Sequence, residues 1–344
     1  MKLKRCYDEC RPCNILRHVA DIPFGLEGKY TVGLRRLAVC AGTDDSFKKA
    51  SENLERYTGI KLSRETIREL CQQEAPKIEQ WQATSPEACA DFIASHGAVE
   101  VMIDGTCVNT MEGWRETKIL TVTTRPFGEG VLPEQWDKRK LPHTNVRFAS
   151  AGVEDKEAFH KRLSFCRSRL RLGTNGDISV LADGAPWIWD LSQVEFGKPR
   201  ECLDIYHALK HLSGVGTVLY GTGTEAYTKW QEETKLELLS DGFVLLEQRL
   251  NRLDAEELPP LAKESIRLLR GYLENNRERL CYRERLSEGR AIGTGQVEGA
   301  CKNMIGRRLK QTGARWQVPR LNRMAILCAL RYGDQWDNYW KHAT

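Results

Sequence analysis

A chain of 344 residues, 41% apolar and 29% charged with a net charge of +5, has material for two or three domains with cores of their own. No apolar run approaches the ~20 residues that span a bilayer, and the opening "MKLKRCYDECRPCN" lacks the apolar core of a secretory signal, which sets aside membrane and secreted classes. Twelve cysteines scattered without a regular framework fit a reducing cytosol, so a cytoplasmic protein is expected.

Residues 1–30 read as a cysteine-bearing, loop-like segment. Cys10 and Cys13 have the two-residue spacing of a zinc knuckle, with Cys6 or His18 as further ligands for Zn2+. One such pair without a clean second is a weak metal signal. Residues 31–90 read as short helices. Phe47, Ala50 and Leu54 share one helical face, Gly59 makes a turn, and Ser63 caps a second helix carrying Ile67, Leu70 and Cys71. Two helices around a glycine turn signal a helix-turn-helix, or an ordinary helical hairpin.

From about Gly97 the texture becomes β-rich. "AVEVMIDGT", "WRETKILTVTT" and "VRFASAGVE" read as three strands, followed by a helix over about Lys156–Leu172. A further strand, "DISVLADG", a helical turn and the short "ECLDIYH" come next. Three strands, a helix and another strand is the order in which an RNase H-like fold begins; spatial strand order does not follow from the sequence. A helical segment over 208–287 then interrupts, and Thr222 to Glu288 is helix-like, rich in Leu and Glu, and slightly acidic.

Asp104 and Asp183 each end an apolar strand-like run and each precede a glycine. Carboxyl ends of neighbouring strands are where ligand-binding groups converge in α/β sheets. A two-metal phosphoryl-transfer site needs such carboxylates, because oxygen ligands must flank ions ~3.5–4 Å apart. Either "DG" alone is more commonly a turn. A third acid strengthens the pair. In "AIGTGQVEGACKNMIGRRLKQTGARW", a helix begun after "GTG" puts Val297, Cys301 and Ile305 on one stripe, with Glu298 on the same side. An acid facing inward needs a partner, and a metal ion held with Asp104 and Asp183 provides one.

Positive charge clusters around that helix. From Arg290 to Arg323 eight Lys or Arg residues stand against one acid, Glu298, and "KRLSFCRSRLR" at 161–171 has five bases and no acid. A single basic run is usually a solvated helix face; two runs flanking the carboxylates favour a phosphate backbone as partner. His207 and His211 lie four apart near Cys202, but without a fourth ligand they read as supporting or packing residues. Trp187 and Trp189 read as core. Trp316, inside the basic block, is the best aromatic candidate for a DNA contact. "GVGTVLYGTGTE" lacks the lysine of a phosphate-binding loop.

"DGT" with "WRETKILTVT", then "LADGAPWIWDL", "LDIYHALKHL" and "GTGQVEGACKNMIGRRLKQTGARW" resemble the ISKra-type DDE transposases of bacterial insertion sequences, from about Cys10 to about Leu330. The resemblance implies a mixed α/β chain with an RNase H-like catalytic core over 91–207 and 288–330, an all-helical insertion at 208–287, and a tail at 331–344. The helix-turn-helix region 31–90 would precede the core and bind the element's terminal repeats. Asp104, Asp183 and Glu298 match the three catalytic acids, holding two Mg2+ or Mn2+ ions for phosphodiester cleavage and strand transfer. "DIYH" resembles the family's Asp-x-x-His element, which singles out Asp204 and His207 as supporting residues. Lys302, Arg307, Arg308, Lys310, Arg315 and Trp316 are then the expected DNA contacts. The expected partner is double-stranded DNA, both element ends and target, bound by a nucleoid-associated homo-oligomer. The match departs at the front, where family members carry more residues before the Cys-rich element, so a shortened copy is expected. Two alternatives stay open: a non-catalytic DNA-binding derivative, and an RNase H-like nuclease without strand transfer.

Overall fold

The computed structural model describes residues 29–173, 177–254 and 257–343, with the backbone of three short strands before them. Those strands are β1 (Asp8–Cys10) and β2 (Ile15–Arg17), paired antiparallel, and β3 (Leu26–Glu27), paired with β4 (Tyr30–Thr31). Cys6, Cys13 and His18 lie outside the described residues, as does the Cys10 side chain, and the zinc expectation lies there with them. The chain forms two compact units, one of residues 1–88, 108–115 and 303–344, the other of 89–107 and 116–302.

The first unit is helical. Thr31 caps α1 (Val32–Asp44) and Ser46 caps α2 (Phe47–Thr58), each accepting a backbone N–H of the first turn. Gly59, at φ +71°, ends α2 in the left-handed conformation that favours glycine. Ser63 then caps α3 (Arg64–Thr84). The expected pair of short helices is therefore a 12-residue and a 21-residue helix, the second long enough to pack along α1, α2 and α14 (Val318–Tyr332). The expected tail is folded: α14 reaches Tyr332 and α15 (Trp336–His342) buries Trp336, Tyr339 and Trp340. Three large rings at helical spacing hide too much apolar area to stay in water. Tyr339 also donates to Glu74 (2.6 Å), which faces Arg35 at 3.6 Å inside the bundle.

The second unit is built on a five-stranded sheet. Its strands are β5 (Ala98–Thr110), β6 (Gly113–Arg125), β7 (Val146–Val153), β8 (Ile178–Ala182) and β9 (Arg200–Leu203), with residues 108–115 of the first two counted in the other unit. Spatially the order is β7-β6-β5-β8-β9, or 3-2-1-4-5 in chain order. β5 pairs parallel with β8, and β8 with β9, while β6 runs antiparallel to β7. The two-residue connection from β5 to β6 makes an antiparallel hairpin. All five residues of β8 are buried, as expected of a central strand covered on both faces. On the sheet, buried Arg125 donates through Nε to both oxygens of Glu100 at 3.2 Å.

The expected strands all appear, and so does the helix after the third, α5 (Lys156–Arg169). α4 (Glu87–Ala94) precedes the sheet and α6 (Pro186–Phe196) follows β8. Between β9 and Glu298 the chain is helical: α7 (Ile205–Tyr220), α8 (Glu225–Asp241), α9 (Val244–Asp254), α10 (Pro260–Asn275) and α11 (Tyr282–Ser287). These helices pack on one another, α7 against both α8 and α10. Among the described residues, no helix is long and apolar enough to cross a membrane.

Candidate active site

The β5–β8 register sets the first two acids. Val101 faces Val180 and Met102 faces Leu181, so Asp104 and Asp183, two residues further on, are level on adjacent parallel strands. Asp104 does not end its strand as expected. β5 continues to Thr110 because β6 still pairs with it after β8 has stopped at Ala182. Asp104 Oδ1 accepts the Gly105 N–H (2.7 Å) and Oδ2 accepts the Cys301 thiol (3.2 Å). Burial pushes the Asp104 carboxyl above the ordinary carboxylate range, and the charge of Asp183 adds to that push. Asp183 Oδ1 accepts the Ala185 N–H (3.1 Å), while its carbonyl accepts the Tyr272 hydroxyl (2.8 Å).

Asp204 is fully buried and caps α7. Its Oδ1 accepts N–H groups from Tyr206 (3.3 Å) and Thr294 (3.2 Å), and its Oδ2 meets His207 Nδ1 at 2.6 Å. That hydrogen bond raises the His207 pKa against the opposing effect of burial, with the charges of Asp204, Asp183 and Asp104 adding to it. The stretch before Glu298 is held close: a Cβ on Gly293 would stand 2.8 Å from the Tyr206 ring and 3.2 Å from Asp204 Oδ1. Here only glycine lets the "GTG" segment pass over the start of α7.

Glu298 lies on α12 (Gly295–Gly299), which runs on as a π-helix, Ala300–Gly306, and α13 (Arg307–Leu309). A helix with the i, i+4 stripe is expected here; the wider turn occurs instead, as it often does at functional sites. Val297 and Ile305 are buried as the stripe requires. Cys301 turns to Asp104 rather than into the core. The Glu298 side chain is 33% exposed and stands 3.5 Å from Lys302, so it faces a cleft and not the core. That cleft is a cavity of about 360 Å³ lined by Asp104, His207, Lys210, Glu298, Cys301 and Lys302 among others.

The acids therefore meet differently from the sequence-based triad. Among the described residues, the one group of three or more His, Cys, Asp or Glu side chains with ligand atoms all within 4.8 Å of one another is Asp204, His207 and Glu298. Asp104 lines the same cavity as His207 and Glu298, whereas Asp183 and Asp204 lie outside its lining. Carboxylates repel one another across a cleft, whereas an imidazole inclined to hold its proton draws Asp204 and Glu298 to itself. The carboxylates of Asp104 and Glu298 in the cavity suit a hard divalent cation, and the cavity also carries two lysines for an anionic substrate. His211 stacks on Tyr272 at 4.0 Å, a packing role as expected.

Of the expected DNA contacts, Lys302, Arg307, Lys310 and Arg315 are exposed and Trp316 is half-buried. Arg308 differs: at 3% exposure it points into the first unit, its Nε donating to the Gly42 carbonyl (2.7 Å). Trp189 is core, its Nε1 donating to Asn276 Oδ1 (3.0 Å), and Trp187 packs edge-on against Phe159. Sequence reasoning missed Cys301 and Tyr272. Cys301, three residues after Glu298, was legible as its neighbour on the helix; Tyr272 carries no local signal.

No protein-family model matches the chain, and no curated protein matches it.

Proposed function

We propose that this protein is a DNA transposase with an RNase H-like core, cutting and joining phosphodiesters in a metal-dependent reaction. The observation that carries the reading is the 3-2-1-4-5 sheet with Asp104 and Asp183 level on adjacent parallel strands and Glu298 facing the same cleft as Asp104. Asp104, Asp183 and Glu298 would hold the cations. Bound Mg2+ or Mn2+ would supply Lewis acidity to an attacking water or 3′-hydroxyl and to the leaving oxygen.

The chain's own residues prepare the rest. Asp204 fixes Nδ1 of His207 as the bonded nitrogen, which leaves Nε2 to hold or release a proton at the cleft. Lys210 and Lys302 bring positive charge to a phosphate entering the cavity. The Cys301 thiol orients the Asp104 carboxylate. The exposed Arg307, Lys310 and Arg315 hold flanking duplex through its backbone. The helices α2 and α3 are proposed to read the element's ends.

Asp104→Ala, Asp183→Ala and Glu298→Ala should each abolish Mg2+-dependent cleavage of a DNA carrying the element's ends, while a filter-binding assay shows DNA still bound. Near-wild-type cleavage by any one variant removes that residue from the site. Joined products in the same reaction separate a transposase from a nuclease.

A further inference from the structure

A second cavity, of about 580 Å³, opens in the first unit beside the start of α2, the first half of α3 and the segment 308–317. Arg308 lies in its wall, its guanidinium 4.7 Å from the Phe47 ring centre and 5.2 Å from that of Trp316. Its Nη2 has no hydrogen-bond partner among the described residues, and Asp45 acts on Arg308 through its charge alone. Gln72, 8% exposed, lines the same cavity; its Nε2 donates to the Arg320 carbonyl (3.3 Å) and its Oε1 has no partner among the described residues.

A buried cation whose opposing charge, Asp45, makes no ion pair with it is costly, and so is a buried amide oxygen without a donor. Burial already lowers the Arg308 pKa. Both costs are relieved by an occupant that presents an anion or acceptor to Arg308 and an N–H to Gln72. Arg68 and Arg315 add positive charge to the lining. The volume is that of a pocket for a whole small ligand, about 300–1,000 Å³, and far more than a phosphate on a duplex surface requires. Aromatic walls with arginine are the means by which proteins hold unpaired bases.

We infer that this groove takes one unpaired nucleotide of a DNA strand, its phosphate or a base acceptor on Arg308 and a base N–H on Gln72. The inference rests on DNA being the partner, not on the phosphoryl-transfer chemistry.

The test uses the full chain in Mg2+-free buffer and two fluorescein-labelled 20-base-pair duplexes, one blunt and one with a four-nucleotide single-stranded extension containing 2-aminopurine. Wild type should bind the extended duplex about tenfold more tightly and quench the 2-aminopurine. Arg308→Met and Gln72→Leu should bring the extended duplex to the blunt level, abolish the quenching and leave blunt-duplex affinity within about twofold. If Arg308→Met does not fold, Gln72→Leu decides by the same readouts. Equal wild-type affinity for the two duplexes, or variants that weaken both alike, overturns the proposal. So does saturable binding of deoxyadenosine monophosphate or inorganic phosphate without a preference for the extension, which makes the groove a site for free anions. Absence of binding to either duplex would instead remove DNA as the partner altogether.

Discussion

At the scale of single residues, Glu298 is defined by what surrounds it. The sequence reading makes it an uncompensated acid, and on that basis its neutral variant should melt higher than wild type. The structure gives it Lys302 at 3.5 Å and His207 in the same close group, so its charge has company. An ion pair this exposed contributes little, and metal-free Glu298→Gln should melt within about 1 kcal/mol of wild type in stability. Adding Mg2+ should raise the wild-type Tm and leave the variant nearly unmoved, because a cation stabilises only the form that binds it. A variant with its full Mg2+ shift would leave Glu298 outside the metal site. Cys281 offers a separate test. The neighbouring Cys202 thiol, and after it Arg285, hold the Cys281 thiol below its ordinary pKa, while burial above all raises that of Cys202. Site-resolved iodoacetamide labelling of Cys281 should reach half-rate below the ~8.5 of a free thiol, and Cys202→Ala should move that midpoint up. An unmoved midpoint would assign the shift elsewhere.

At the scale of elements, α7 contains a matched pair of glycines. A Cβ on Gly216 would stand 2.4 Å from Trp230 Cδ1, and Trp230 is locked by its bond to the Leu212 carbonyl (2.9 Å). Gly214, exposed on the same helix, has nothing within 4 Å of that position. Gly216→Ala should therefore cost about 1–3 kcal/mol by forcing α8 away. Gly214→Ala should gain up to about 1 kcal/mol from helix propensity. Urea melts of both variants check the pair, and equal effects would mean that α7 and α8 do not pack as described. The strands were legible because each is a β-rich apolar run closed by Gly, Asp or a charged turn, and the cap Ser63 marks its helix from one residue. Less was legible where geometry depends on a neighbour. That β5 runs on past Asp104 depends on β6, and the π-turn at Cys301 accompanies a carboxylate 197 residues away in the chain. Burial of Arg308 was illegible too, since nothing in a basic run tells which arginine turns inward.

At the scale of the whole molecule, a net charge of +5 understates the attraction for a polyanion, because Arg307, Lys310, Arg315, Arg320 and Arg323 are all exposed within one stretch of the first unit. DNA affinity should fall steeply as salt rises. Arg307→Ala, Lys310→Ala and Arg315→Ala should each reduce the slope of log K against log[salt] by about 1. A slope unchanged in all three variants would move the duplex to another face. The candidate site, by contrast, was only partly legible at this scale. Asp104, Asp183 and Glu298 stand out as acids after apolar runs or on a helix stripe, yet the close grouping of Glu298 with Asp204 and His207 depends on α7 and α12 being brought together.

The 197 residues separating Asp104 from its hydrogen-bond partner Cys301 are also an interval of time. At about 5–20 residues per second, a ribosome needs roughly 10–40 s to pass from one to the other. Throughout that interval the emerging chain holds β5 with no Glu298 and no Cys301, and hence only part of the cleft. If the protein cuts DNA as proposed, a chain still in synthesis beside its own gene carries strands and helices but no complete cutting apparatus. On that reading the apparatus would close only once Cys301 has been made.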